Sequence, residues 1–204
     1  MGRTKQYQRG ELLDRAVELF RRSGFHGTST ADLVDGLGVN RRSMYAEFGS
    51  KQGLFEAVLE HYDRNHLSRV LAPLEDPAAG ADTIRRAFAG YAAASESRFR
   101  GLGCLMCNTA VERGALEPGS LRYVDAYLQR LEAAFRSALS NARDAHDIDP
   151  ASDIDALASF FTMSLIGVAA LVRAKAEPSR VMAACDVATS VLDIRRGEFT
   201  PPAA

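Results

Sequence analysis

An all-α fold is expected for this chain, and three observations lead there. Apolar residues recur at spacings of three and four along most of the 204 residues, no segment alternates with period two, and Ser, Asn, Gly and Pro stand where helices would start and stop. About nine helices account for the pattern: a tight three-helix cluster at the N-terminus and a larger helical region after it.

Leu12, Leu13, Ala16, Val17 and Phe20 mark the first helix, near 8–23, with Gly24 as its stop. Ser29 followed by Asp32 is a capping-box start in which a shorter acid replaces the usual Glu or Gln; the second helix runs near 30–37. Asn40 caps a third over 41–47, and Ser50 caps a fourth that carries Leu54, Phe55, Val58, Leu59, Tyr62 and Leu67. Two prolines and a glycine between Pro73 and Asp82 read as a break. Ile84, Phe88 and Tyr91 mark a fifth helix, a short sixth lies between Gly103 and Gly114, and Leu121, Val124, Leu128, Leu131, Phe135 and Ala138 mark a long amphipathic seventh. The eighth, near 153–175, is apolar on most sides, and the ninth, near 178–195, lines up Val181, Cys185, Ala188 and Leu192.

Composition places the chain among ordinary globular proteins, with 47% hydrophobic and 25% charged residues. The longest apolar stretch, Ala156 to Ala174, is interrupted by Ser159, Thr162, Ser164, Gly167 and Arg173 and reads as a buried helix, short of a bilayer span. The N-terminus carries no apolar core with a cleavage site, so a cytoplasmic location is expected. Three cysteines, an odd number, argue against a secreted disulfide framework. The net charge of −1 is unevenly spread: residues 1–51 hold nine Lys/Arg against six Asp/Glu, a balance of +3, which leaves −4 on the other 153. The basic end is therefore the one to search for a nucleic-acid contact.

Residues 24–55 encode two short helices joined by the turn Gly38-Val39-Asn40, which is the arithmetic of a helix-turn-helix. In that motif the second helix enters the major groove of DNA, and Arg41, Arg42 and Ser43 open that helix. An arginine can donate two hydrogen bonds to guanine or one to a phosphate; either arginine suits either part. Ser29 and Thr30 start the preceding helix, where hydroxyls and free N–H groups suit a phosphate, and Lys51 is a second clamp. Arg3, Lys5 and Arg9 are either an arm for the minor groove or a solvated tail.

This segment resembles the tetracycline-repressor (TetR) family of bacterial regulators through Gly24-Phe25, Thr28-Ser29, Gly38-Val39, Met44-Tyr45, Phe48, Ser50-Lys51 and Leu54-Phe55. The resemblance implies a DNA-binding domain over residues 1–52 and a helical effector-binding and dimerisation domain over 53–204. It also implies DNA contact by Ser29, Thr30, Asn40, Arg41, Arg42, Ser43, Tyr45 and Lys51, with Tyr45 on a phosphate. Arg42 departs from the pattern, since the family often has a small residue there. The expected activity is that of a dimeric repressor on a pseudo-palindromic operator, released by a small molecule or a redox signal, with no enzymatic turnover and no cofactor.

The signal needs a receiver. Phe88, Tyr91, Met106, Cys107, Asn108, Phe135 and Phe161 are candidate walls of an effector pocket, although the same residues serve equally as core. Cys104 and Cys107, three apart at a helix start, can close to a disulfide or simply pack. His26, His61, His66 and His146 show no zinc-like spacing to them, so no metal is expected. Small residues on the last two helices suit close packing against a second copy. Two other readings are a helical enzyme using one of these cysteines and a protein-binding scaffold; neither accounts for residues 24–55.

Overall fold

The computed structural model describes residues 8–112, 114 and 116–193, so Arg3 and Lys5 lie outside the described residues. Ten α-helices follow one another: α1 (Arg9–Gly27), α2 (Thr30–Leu37), α3 (Arg41–Phe48), α4 (Lys51–Tyr62), α5 (Ser68–Glu75), α6 (Ala81–Ser95), α7 (Leu105–Val111), α8 (Pro118–Asp144), α9 (Ile154–Arg173) and α10 (Pro178–Ser190). A π-helical turn, Asp63–Leu67, makes α4 and α5 one continuous run, so the expected count of about nine holds among the described residues. No strand occurs there.

Two compact units divide the chain. One comprises residues 1–68 and 102–127, the other 69–101 and 128–204, and α8 passes from the first to the second between Tyr127 and Leu128. The unit that contains α1 to α4 thus extends beyond residue 52 and takes in α7 from much later in the chain. The reason is burial: α7 packs on α1 and α4, where Leu105, Met106 and Cys107 are almost fully buried.

In the first unit Leu12, Leu13, Ala16 and Phe20 of α1 face Leu54, Phe55, Val58 and Leu59 of α4, all at most 3% exposed. The Phe20 and Phe55 rings meet edge to face at 4.8 Å, and Phe25 lies 4.9 Å from Phe55. α1 runs four residues past the expected stop, but Gly24 adopts φ 75° and ψ 178°, so a bend divides it where the stop was read. The buried Thr28 hydroxyl donates to the Gly24 carbonyl at 2.6 Å and closes that bend.

Capping fixes the next three helices. The Ser29 hydroxyl accepts from the Asp32 N–H while Asp32 accepts from the Ser29 N–H, at 3.1 and 2.8 Å, so the short acid completes the box. Gly38, left-handed at φ 67°, ends α2. Asn40 accepts from the Ser43 N–H at 2.8 Å and Ser50 from the Gly53 N–H at 3.0 Å. A Cβ on Gly53 would overlap the carbonyl oxygen of Phe48.

The break expected from Pro73 comes later. α5 includes Pro73 and ends at Glu75; the proline removes one i→i−4 hydrogen bond, and the helix runs only two residues beyond it. Asp76 then turns the chain, accepting from the Ala78 N–H with its side chain and from the Ala79 N–H with its carbonyl.

In the second unit α6 packs on α9 and α10, and these on each other. Phe88, Phe135 and Phe161 form its aromatic centre, with ring centroids 5.7–6.4 Å apart. α9 corrects one expectation. It has 20 residues and a mean hydropathy of 1.8 over its most apolar window, long and apolar enough to cross a membrane by length and composition. Only 39% of that window is buried within the chain. Its inner stripe, Ala158, Phe161, Leu165, Val168, Ala169 and Val172, is buried, whereas Met163 on α9 and Met182 and Val187 on α10 are 65%, 44% and 70% exposed.

Two glycine substitutions separate close approach from flexibility. Gly53→Ala forces backbone apart and is expected to cost roughly 1–3 kcal/mol. Gly90→Ala, in α6 with open space around it, is expected to add about 0.5–1 kcal/mol. Thermal unfolding of the two variants should show midpoints shifted in opposite directions; equal shifts would refute the packing described at Gly53.

Candidate nucleic-acid interface

The expected reader residues converge on the exposed ends of α2, α3 and α4. Ser29, Asn40, Arg41 and Arg42 are exposed, and Thr30, Ser43, Tyr45 and Lys51 are half-buried. Ser29 and Asn40 use their side chains as caps, so their local task is to aim helix starts. Arg42 has no ion pair among the described residues.

A chain of contacts holds the rest. The Thr30 hydroxyl lies 3.2 Å from the Tyr45 hydroxyl, and the Arg41 guanidinium sits 5.5 Å over the Tyr45 ring. Thr30 at the start of α2 and Arg41 at the start of α3 are thereby tied through one phenol, which fixes their separation. The Thr30 hydrogen bond, and behind it Arg41, holds the Tyr45 hydroxyl below its ordinary pKa. Arg41 gains a cation–π contact worth about 0.5–1 kcal/mol at an exposed site.

Lys51 is supported from beneath. Its ammonium lies 4.4 Å from the centroid of Phe25. Burial lowers its pKa, opposed by the charge of Glu112 and then by Tyr45 and Asp32. Glu112, just past α7, accepts a hydrogen bond from the Phe25 N–H at 2.9 Å and lies against Gly24 so closely that a Cβ there would strike its carboxylate. The sequence offered no signal for this: Glu112 is 87 residues from Phe25, and Phe25 reads only as core. Arg9 is also placed otherwise than in a free arm. It begins α1, pairs with Glu47 at 3.4 Å and covers the Phe48 ring.

The candidate effector residues fall in both units. Phe88, Phe135 and Phe161 pack on each other in the second, where Tyr91 is half-buried. Met106, Cys107 and Asn108 are buried in the first. The Asn108 amide donates to the carbonyls of Leu102 at 2.8 Å and Arg21 at 3.4 Å. A cleft of about 170 Å³ in the first unit is lined by Arg9, Leu13, Ala57, Glu60, His61, Arg64 and Asn65, none of them an expected effector contact.

All three cysteines are free and buried. Tyr62 donates to the Cys104 sulfur at 3.9 Å, and Tyr127 lies 3.6 Å from that of Cys107. The Cys107 side chain, then the Cys107 N–H, Tyr62 and the Met106 N–H, outweigh burial and lower the Cys104 pKa to about 6. The same pairing, with burial, raises Cys107. Among the described residues no cluster of His, Cys, Asp and Glu could hold a metal.

Two short capped helices, α2 and α3, joined at Gly38 with an exposed arginine opening the second, define a helix-turn-helix regulator of transcription. The model described as "Bacterial regulatory proteins, tetR family" matches residues 12–58, and that described as "Tetracyclin repressor-like, C-terminal domain" matches residues 80–188. The HTH-type transcriptional regulator YezE of Bacillus subtilis (strain 168) is 32% identical over 95% of this chain and 100% of its own. The HTH-type transcriptional repressor ComR of Escherichia coli (strain K12) is 30% identical over 89% of this chain and 87% of its own. A cysteine mutant of the regulator CifR, solved with a 26-base-pair operator, superposes with a TM-score of 0.75 at 24% identity, covering 92% of this chain and 98% of that one. The chain belongs to the TetR family of bacterial transcriptional regulators.

The capping box makes a prediction about pH. Ser29, through its hydroxyl and its N–H, holds the Asp32 carboxyl below its ordinary pKa. A depressed carboxyl contributes stability above the unfolded value, near pH 4, and loses it as pH falls through the folded value. Ser29→Ala should return Asp32 toward the ordinary range in a carboxyl NMR titration. Its destabilisation at pH 7 should shrink below about pH 4; a cost that persists undiminished there would rule out the charged box.

Proposed function

We propose that this regulator is a cytoplasmic repressor that binds a pseudo-palindromic operator as a homodimer and leaves it when an effector is sensed. On this reading residues 1–52 read DNA and 53–204 sense and dimerise, and the chain relays a signal without turning over a substrate. The observation that carries the reading is the Thr30–Tyr45–Arg41 tie, which sets a phosphate-binding helix start and a base-reading arginine at one spacing. The relative ComR is named a repressor, which favours repression as the output.

Within the reader, Arg41 and Arg42 face the bases or the nearest phosphates. Ser29, Thr30, Tyr45 and Lys51 hold the backbone, while Asn40 and Ser43 set the start of α3. The effector is a small molecule for which Phe88, Tyr91, Phe135 and Phe161 of the second unit are the candidate walls, and it acts by binding better to the dimer arrangement that does not fit DNA. The exposed apolar stripe of Met163, Gly167 and Ala170 on α9, beside Met182 and Val187 on α10, suits a second copy of the chain.

DNA selected from a random pool by the purified protein supplies the test. Arg41→Ala should cost about 1–3 kcal/mol against the selected sequence and relax preference at one base pair per half-site. Lys51→Ala should weaken all sequences alike and reduce the slope of log affinity against log salt by about 1. Val187→Glu should give a monomer in sedimentation and lose most operator affinity. Recovery of no preferred sequence, or identical discrimination by Arg41→Ala, would sink the assignment.

A further inference from the structure

Two buried thiols in the first unit do nothing in the reader described above, yet they are paired in a way that packing alone does not demand. Cys104 and Cys107 are 4% and 2% exposed, and each sulfur meets a buried tyrosine hydroxyl, Tyr62 on one side and Tyr127 on the other. Cys104 has extended backbone, at φ −98° and ψ 131°, immediately before α7. Cys107 lies in the first turn, so both side chains fall on one side of the chain. Cys185, by contrast, sits alone on the packed stripe of α10.

We propose that Cys104 and Cys107 are a peroxide-sensing dithiol that closes to an intramolecular disulfide and thereby loosens the support of the DNA reader, an inference that rests on the reader assignment above. The order of events follows from the two environments. Cys104 is the sulfur stabilised as thiolate, and Cys107 is the one kept as thiol. The Cys104 thiolate attacks one oxygen of a hydroperoxide, the O–O bond breaks, and the leaving alkoxide or hydroxide takes up a proton, leaving a sulfenic acid. Cys107 loses its proton as its sulfur attacks Cys104, the S–O bond breaks and water leaves. Two thiols and one hydroperoxide become one disulfide, one alcohol or water, and one further water. Burial restricts the oxidant to small hydroperoxides such as hydrogen peroxide.

The pair lies between the contacts that fasten α7 to α1. Gly103, one residue before Cys104, accepts from the Arg21 guanidinium, including the Nε donor at 3.0 Å. Asn108, one residue after Cys107, donates to Leu102 and Arg21. At the far end of α7 Glu112 holds the Phe25 N–H, and Phe25 lies under Lys51. A covalent S–S bond is far shorter than the contact it replaces. Closing it draws residues 103–108 together and disturbs the joints at Arg21 and Phe25, inside the unit that carries α2 and α3.

Wild type, Cys104→Ser, Cys107→Ser and Cys185→Ser, all as full chains, are treated with hydrogen peroxide and then analysed by peptide mass mapping, by hydrogen exchange and against DNA selected with the reduced wild type. The expected result is a disulfide within residues 104–107 in wild type and Cys185→Ser only. With it come faster exchange at Arg21–Phe25 and an operator affinity reduced by about tenfold, restored by a dithiol reductant. A disulfide without change in exchange or affinity would overturn the switch, and thiols left intact at millimolar peroxide would overturn the site. If the reduced protein selects no DNA, the reader assignment fails by itself, and the dithiol is judged on disulfide and exchange.

Discussion

The hydrogen bond from the Phe25 N–H to Glu112 is the contact on which the reader's geometry depends. Gly24 bends α1 with a left-handed φ that other residues adopt at a cost. The Glu112 carboxylate, just past α7, accepts from the next N–H, and the Thr28 hydroxyl satisfies the Gly24 carbonyl. With the bend held, the Phe25 ring lies both against Phe55 and beneath Lys51. One half-buried aromatic thus joins the core of the first unit to a cation placed for DNA. Charge balance agrees, since Glu112 is also the largest influence keeping Lys51 protonated against its partial burial.

The energies involved are individually modest. A helix cap contributes about 1 kcal/mol and a surface cation–π contact less, while the burial of Phe20, Phe55, Leu54 and Leu59 contributes about 1.5–3 kcal/mol for each side chain. The hydrophobic seam between α1 and α4 therefore supplies stability, and the caps supply direction. Ser29, Asn40 and Ser50 each end an unsatisfied helix start, and in doing so they decide where α2, α3 and α4 point. Short helices of eight residues would not hold in isolation; α2 and α3 exist because Leu33, Leu37 and Met44 are anchored in the seam.

What the sequence revealed follows the range of the forces at work. Caps, left-handed glycines and apolar stripes act over a few residues, so α2, α3 and the starts at Ser29, Asn40 and Ser50 were legible, as was the family from residues 24–55. Pro73 was misread because a proline's effect depends on where the helix ends, and that is set by the turn at Asp76. The π turn at Asp63–Leu67 widens the spacing of buried residues to five between Tyr62 and Leu67, a single interval that a pattern of threes and fours passes over. Glu112 and Arg21 act across 87 and 82 residues. No local pattern pairs them with Phe25 and Gly103, although an arginine buried to 8% exposure inside an apolar stripe of α1 marks, once its burial is known, a charge that must have found a partner.

The apolar surface of α9 poses the remaining question of balance. Three things can cover such a surface: a bilayer, the rest of the chain or a second chain. A bilayer is disfavoured by the polar ties that key this helix to α8. Asp155 pairs with Arg136 at 2.6 Å and the Ser159 hydroxyl donates to Glu132 at 3.1 Å, while Phe161 closes the aromatic centre with Phe88 and Phe135. The rest of the chain already covers the inner stripe and leaves Met163, Gly167 and Ala170 outside. These fall at positions i, i+4 and i+7, one face of the helix, and their small neighbours let a partner helix approach closely. A second copy presents the same face to itself about a two-fold axis, and the same axis would turn two copies of Arg41 toward two half-sites of one operator. Dimer contact and DNA reading are in that case two consequences of one symmetry operation.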